Sequence, residues 1–247
     1  MSVLGTLSLL LALQSPDPRF LYVKYQLTEK FGFSWQEVDS LFKDPRLRLY
    51  PPDAFPKRRI DWEEFKREIL RPSSVRAGRT FITEHREVFE AAEARFGVES
   101  EYIASLLRVE THFGKNLGDF RVINVFYTRL LDKDSRRWKW AADNLIALSV
   151  YCLVYELDCY GIYGSHAGAS GLPQFLPTTL VEHGVDADLD RMENVFSLRD
   201  AVFSAANYLV SLGWHKNKEL VLAGYYGQSR GYPEAVERYA LAVGRIE

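Results

Sequence analysis

Glu110 closes an apolar stripe. In the stretch Ile103-Ala-Ser-Leu-Leu-Arg-Val-Glu-Thr-His-Phe-Gly114, residues Ile103, Leu106, Leu107 and Glu110 recur at i, i+3, i+4 and i+7, one face of a helix. Desolvation on such a face disfavours the ionised carboxylate and raises its pKa. Gly114 is a good residue to follow a helix end, which sets Glu110 near the negative pole of the helix dipole and pushes the pKa the same way. Such a group is a candidate general acid. On pattern alone, a structural Glu paired with a buried Arg is an equal reading.

Other chemistry is sparse. Cys152 and Cys159 are the two cysteines, and if both were helical their Cα atoms would stand about 10 Å apart, too far for a bridge. A disulfide needs the helix to end between them. With no Cys/His cluster, neither a metal site, a redox motif nor a cofactor is expected. His85 shares an apolar face with Phe81, Val88, Phe89, Ala92 and Phe96, which reads as a core histidine.

The 247 residues, 47% hydrophobic, suffice for a large core and exclude a disordered chain. Thirty-one basic against 33 acidic residues give a formal charge of −2, so no field marks nucleic acid or an anionic membrane as partner. Neutral carbohydrate fits that balance. Five Trp, fourteen Tyr and fifteen Phe exceed what the core needs, and aromatic rings are the flat platforms on which sugars stack.

Residues 1–18 form an apolar leader that ends in Ser15-Pro-Asp-Pro18. Its length suits a signal-peptide core and is too short to span a bilayer, while the missing Lys or Arg suits a mis-assigned start codon or an N-terminal helix packed on the body equally well. From residue 19 helical periods follow at 19–30, 35–43, 61–70, 75–96, 134–158, 177–183, 198–212, 216–226 and 232–243. The second half of the helix over 134–158 is apolar nearly all round, and this helix is expected to be the buried central one. Between it and 177 the glycines from Gly161 to Gly171 mark a loop or small hairpin whose backbone approaches something closely. No long linker appears. The reading is mainly α, with residues 19–247 as a single unit.

Three stretches together resemble the lytic transglycosylases of the lysozyme-like superfamily, in particular the membrane-bound lytic murein transglycosylase B family. Arg108-Val-Glu-Thr-His-Phe-Gly114 matches a Val-Glu-Thr-aromatic-Gly motif. Gly164-Ser-His-Ala-Gly-Ala-Ser-Gly-Leu-Pro-Gln-Phe-Leu-Pro177 matches Gly-Ser-x-Ala-Gly-Ala-x-Gly-x-x-Gln-Phe-x-Pro. The run Leu198 to Trp214 is similar to the Asp-Ala-x-x-Ser-x-Ala-Asn-Tyr segment that ends in Gly-Trp.

The resemblance implies a lysozyme-like helical domain with a small loop or hairpin element beside the cleft. It implies cleavage of the β-1,4 bond between N-acetylmuramic acid and N-acetylglucosamine in peptidoglycan, with 1,6-anhydro-muramic ends and Glu110 as the single acid and base. Ser165 and Gln174 match cleft-lining polar positions, and Tyr208 a tyrosine beside the acid. Tyr225 and Tyr226 stand where the family has a Tyr-Asn pair, so Tyr226 is a departure. Restoring Asn there is expected to leave activity unchanged or raise it. A second departure is the short run from Trp214 to Tyr225, where the family usually inserts a subdomain; a more open cleft is expected. The implied place is the bacterial cell envelope, in the periplasm, and the implied partner is the glycan strand, met by a monomer. Two alternatives stay open: a muramidase using water, and a catalytically weak peptidoglycan-binding protein.

Overall fold

Helical periods in the sequence become helices almost one for one, and their ends are set by recognisable caps. The structure, a computed structural model, describes residues 17–56, 60–132, 136–226 and 231–244; nearly all of the apolar leader lies outside them. In chain order the elements are α1 (Pro18–Tyr25), a turn of π-helix (Gln26–Lys30), α2 (Trp35–Phe42), α3 (Trp62–Ile69), α4 (Pro72–Glu84), α5 (Arg86–Phe96), α6 (Ser100–Thr111), β1 (Phe120–Arg121), α7 (Val122–Leu131), α8 (Trp138–Val154), a 3₁₀ turn (Cys159–Gly161), β2 (Tyr163–Gly164), α9 (Pro177–His183), α10 (Leu198–Ser211), α11 (Lys218–Tyr225) and α12 (Gly231–Gly244). The fold is mainly α. Ser34 and Glu37 form a reciprocal capping box on α2, Asp61 caps α3, and prolines open α1, α4 and α9.

Two elements depart from the sequence reading. The single helix over 75–96 is broken at His85, whose φ of −116° and ψ of 26° end α4 and start α5. The His85 ring packs on Phe81 at 4.8 Å and is half-buried. Helix α7 has no counterpart in the reading, because Val122 to Phe126 are all buried and show no period.

The chain divides into two compact units, each made of two segments: residues 1–52 with 121–162, and 53–120 with 163–247. The boundaries fall where the chain crosses between units, so no linker marks them in the sequence. In the first unit α8 is buried on most sides, from Ala141 to Cys152. It ends at Val154, and the chain turns back so that Cys152 and Cys159 form a disulfide with Cα atoms 5.4 Å apart. The second unit is built round α6, whose Ile103, Ala104, Leu106 and Leu107 are fully buried with Phe89, Ala205, Leu209, Trp214, Tyr232 and Val236. Among the described residues no helix is long and apolar enough to cross a membrane.

Candidate active site

Helix α6 stops abruptly one residue after Glu110. His112, Phe113 and Gly114 adopt left-handed φ of 53°, 58° and 83°, an arrangement that two residues with side chains take only at a cost in energy. Contacts offset that cost. Phe113 stacks on Phe81 at 4.3 Å, and its N–H donates to the Leu107 carbonyl. The Thr111 hydroxyl donates to the Leu172 carbonyl and accepts from the Gly114 N–H, tying the helix end to the glycine-rich loop.

That loop is the small hairpin. Ser170 exchanges backbone bonds with Phe175, and Ser165 with Ala169 and Gly168. Two glycines are sterically required: a Cβ on Gly118 would stand 2.1 Å from the Gly164 oxygen, and one on Gly171, at φ 72°, 2.5 Å from Val195.

Between α3, the end of α6, the loop and the end of α11 lies a cleft of about 410 Å³. Trp62, Phe65, Val109, Leu176, Tyr225 and Tyr226 give it apolar walls, and Glu110, Ser165, His166 and Gln174 supply its polar groups. Tyr232 Oη donates a 2.6 Å hydrogen bond to Glu110 Oε1. Burial lifts the Glu110 pKa from 4.5 to about 7, with the Tyr232 bond working against it. Glu110 is therefore a carboxyl that burial keeps protonated well above the usual carboxylate range, held by one donor and facing a cavity of sugar size.

Of the residues singled out by sequence, Glu110, Ser165, Gln174, Tyr225 and Tyr226 come together on this cleft. Ser165 Oγ accepts from the Ala169 N–H and so also fixes its own turn. Gln174, at φ 53°, directs its amide nitrogen to the carbonyls of Leu117 and Gly171, so what it offers a ligand is an acceptor. Tyr225, half-buried, donates to the Pro173 carbonyl, and desolvation pushes its pKa up so that it stays a neutral phenol. Tyr208 is absent from the cleft lining. It sits behind Tyr225, half-buried, with its ring packed on Phe175, His183 and Tyr225. The tyrosine on the acid is Tyr232.

Tyr232 escapes a sequence reading because it shares an apolar stripe with Val236, Tyr239 and Val243 on α12 and looks like core. Its buried hydroxyl, which needs a partner, is the available signal. Its ring lies within 7° of parallel to both Tyr226, at 4.9 Å, and Tyr225, at 6.1 Å. Trp62 stands edge-on to Tyr226 and Tyr232, reaching them over Gly231, where a Cβ would collide with its ring.

A second group of carboxylates follows α9. Asp186, Asp188 and Asp200 bring one oxygen each within 4.8 Å of one another. Asp200 is fully buried and accepts from the N–H groups of Ala187 and Asn194, whereas Asp186 Oδ1 is buried with no hydrogen-bond partner. A hard-oxygen set with one buried acceptor unspent suits a cation such as calcium. A search for Cys and His passes over it; the alternation Asp186-x-Asp188-x-Asp190 is the signal.

The family model described as the transglycosylase SLT domain matches residues 22–230. The membrane-bound lytic murein transglycosylase B of Escherichia coli (strain K12) is 27% identical over 231 residues, 88% of this chain; the chain spans 63% of the length of that relative. Among solved structures, the Escherichia coli lytic transglycosylase Slt35 in complex with calcium superposes with a TM-score of 0.81 at 19% identity, over 92% of this chain and 93% of that one. SltB3 from Pseudomonas aeruginosa in complex with NAG-anhNAM-pentapeptide does so with a TM-score of 0.77 at 20% identity, over 92% and 79%. These two likenesses are of fold, the lysozyme-like helical one. The family match runs through the Glu110 helix, the glycine-rich loop and α10, and the chain belongs to the transglycosylase SLT domain family.

Proposed function

We propose that the chain is a lytic transglycosylase that cuts the β-1,4 bond between N-acetylmuramic acid and N-acetylglucosamine of peptidoglycan. The observation that carries this is the state of Glu110, a protonated-range carboxyl in an apolar cleft and the one carboxyl among the described residues that line it. Glu110 gives its proton to the leaving glycosidic oxygen as the C1–O bond breaks, and positive charge develops at muramic C1. The resulting carboxylate accepts a proton from the muramic 6-hydroxyl as O6 bonds to C1, closing a 1,6-anhydro ring. Most glycosidases need a second carboxylate for this stage. An intramolecular hydroxyl needs none, because its effective molarity exceeds that of water. Gln174 and Tyr226 meet the sugars, while Ser165, Tyr225 and Tyr208 shape the wall behind them. The match to the Escherichia coli relative and the NAG-anhNAM fragment held by a neighbour of the same fold support this reading.

Digesting purified sacculi, reducing with borohydride and weighing the fragments tests it. Muramic ends about 18 mass units lighter than hydrolysed ones are expected, from loss of one water in ring closure. Predominantly reducible ends would make the enzyme a muramidase, and no release at all a binding protein.

We infer two further properties. The protein acts as a monomer in the bacterial envelope, on its periplasmic side, a reading supported by the disulfide, which persists in oxidising compartments. Asp186, Asp188 and Asp200 hold a calcium ion, supported by their spacing, the unspent Asp186 oxygen and the calcium complex of a neighbour of the same fold. No step of the reaction runs through that ion; it braces the turn against α10.

A further inference from the structure

We propose that Tyr226 is a positioning residue for the general acid: its ring lies on the outer face of Tyr232 and keeps water from the Tyr232–Glu110 pair. The inference rests on the transglycosylase reading for its kinetic consequence, though not for its structural one.

Tyr232 is fully buried, and Tyr226 is 41% exposed with its ring parallel to it. Tyr226 is therefore the layer between solvent and the phenol that grips the acid. Tyr225 also lies parallel to Tyr232, at 6.1 Å, and Trp62 stands edge-on to Tyr226 and Tyr232, so three rings pack on Tyr232. A phenol so packed loses little freedom when it bonds Glu110 Oε1. Without Tyr226 one face of Tyr232 opens to water, and water reaching the carboxylate removes the desolvation that keeps it protonated.

The titratable groups that share the cleft with Glu110 are few. Tyr232 comes from α12, Tyr225 and Tyr226 from the end of α11, and His166 from the loop. Helix α3 contributes Trp62 and Phe65, neither titratable, and α4, α5 and α10 place no titratable side chain on the cleft among its described lining. The three phenols are themselves pushed up by burial and by the neighbouring carboxyl, so they stay neutral through the range in which Glu110 titrates.

This reverses what the resemblance implies for position 226. An asparagine there restores an amide but removes the ring, and the ring is what covers Tyr232.

The test is a direct titration of Glu110, by carbon NMR of labelled glutamate in the full chain, with Glu110→Gln identifying the signal. In the wild type the midpoint is expected at about 7. Tyr226→Asn is expected to lower it by about one unit, and Tyr226→Phe, which keeps the ring, to restore it to within about 0.3. Tyr232→Phe is expected to move it the other way, because the bond that favours the carboxylate is gone. An unmoved midpoint in Tyr226→Asn overturns the proposal, and so does an equal shift in Tyr226→Phe.

On sacculi, a midpoint one unit lower leaves about fivefold less of the acid form at pH 7. The kcat of Tyr226→Asn should fall by that factor at pH 7 and recover near pH 5.5, whatever change in KM the lost sugar contact brings. A loss equal at both pH values would mean a merely structural role and overturn the proposal. A wild type that releases nothing would sink the transglycosylase reading while leaving the titration readable.

Discussion

Burial that lifts the Glu110 pKa to about 7 keeps on the carboxyl the proton that the first step needs, and the carboxylate left by that step is then the base for the second. Glu110→Gln keeps the shape and an acceptor for Tyr232 but has no proton to give. Lysis should fall by about 10²-fold or more with the fold intact; a variant retaining half the activity would show that another group is the acid. The same substitution has a stability signature whose sign follows from linkage. A folded pKa raised above the unfolded 4.5 means that the native state binds the extra proton, so this contribution is full below 4.5 and is lost as pH rises through 7. Glu110→Gln escapes that loss, and should exceed the wild type by roughly 1–3 kcal/mol at pH 8 and match it near pH 4. Urea midpoints at the two pH values check it. Glu110 was legible because a carboxyl interrupts an apolar stripe. Tyr232 was not, because a tyrosine continues one.

At the scale of elements, periods and caps located the helices, and failures came where burial erased the pattern. Helix α7 is buried through five consecutive residues and carries no stripe to see. The break at His85 lies within an uninterrupted stripe, so nothing in the sequence marks it. The Asp186–Asp200 turn combines both problems: its exposed acids read as a solvated loop, and the burial of Asp200 emerges only when α10 is packed. Removing calcium from that turn should lower the melting temperature by several degrees, roughly the effect of a tightly bound ligand on a domain of this size. Melting in excess calcium and in chelator measures it. Asp188→Asn should abolish the difference, and equal melting of the wild type in both conditions would refute the site.

For the whole molecule, the sequence pointed to helices without a linker, and the two units share that texture because each is assembled from two separated segments. The disulfide shows the same limit at closer range, since whether Cys152 and Cys159 meet depends on where α8 stops, and it stops at Val154. Closing so short a loop should be worth roughly 2 kcal/mol by restricting the unfolded chain. Thermal unfolding with and without reductant reads this directly, and identical midpoints would show that the bridge adds nothing.

The discontinuity of the second unit also sets an order in time. Glu110 belongs to its first segment and Tyr232 to its second, 122 residues later, with forty-odd residues of the other unit between the segments. At about 5–20 residues per second the ribosome needs roughly 6–24 s to go from one to the other. Until then the nascent chain carries the carboxyl without the tyrosine that grips it or the rings that keep it dry. A polypeptide cut short before α12 is in the same condition permanently. The surroundings of the acid are thus complete only once α12, the last helix of the described residues, has been made.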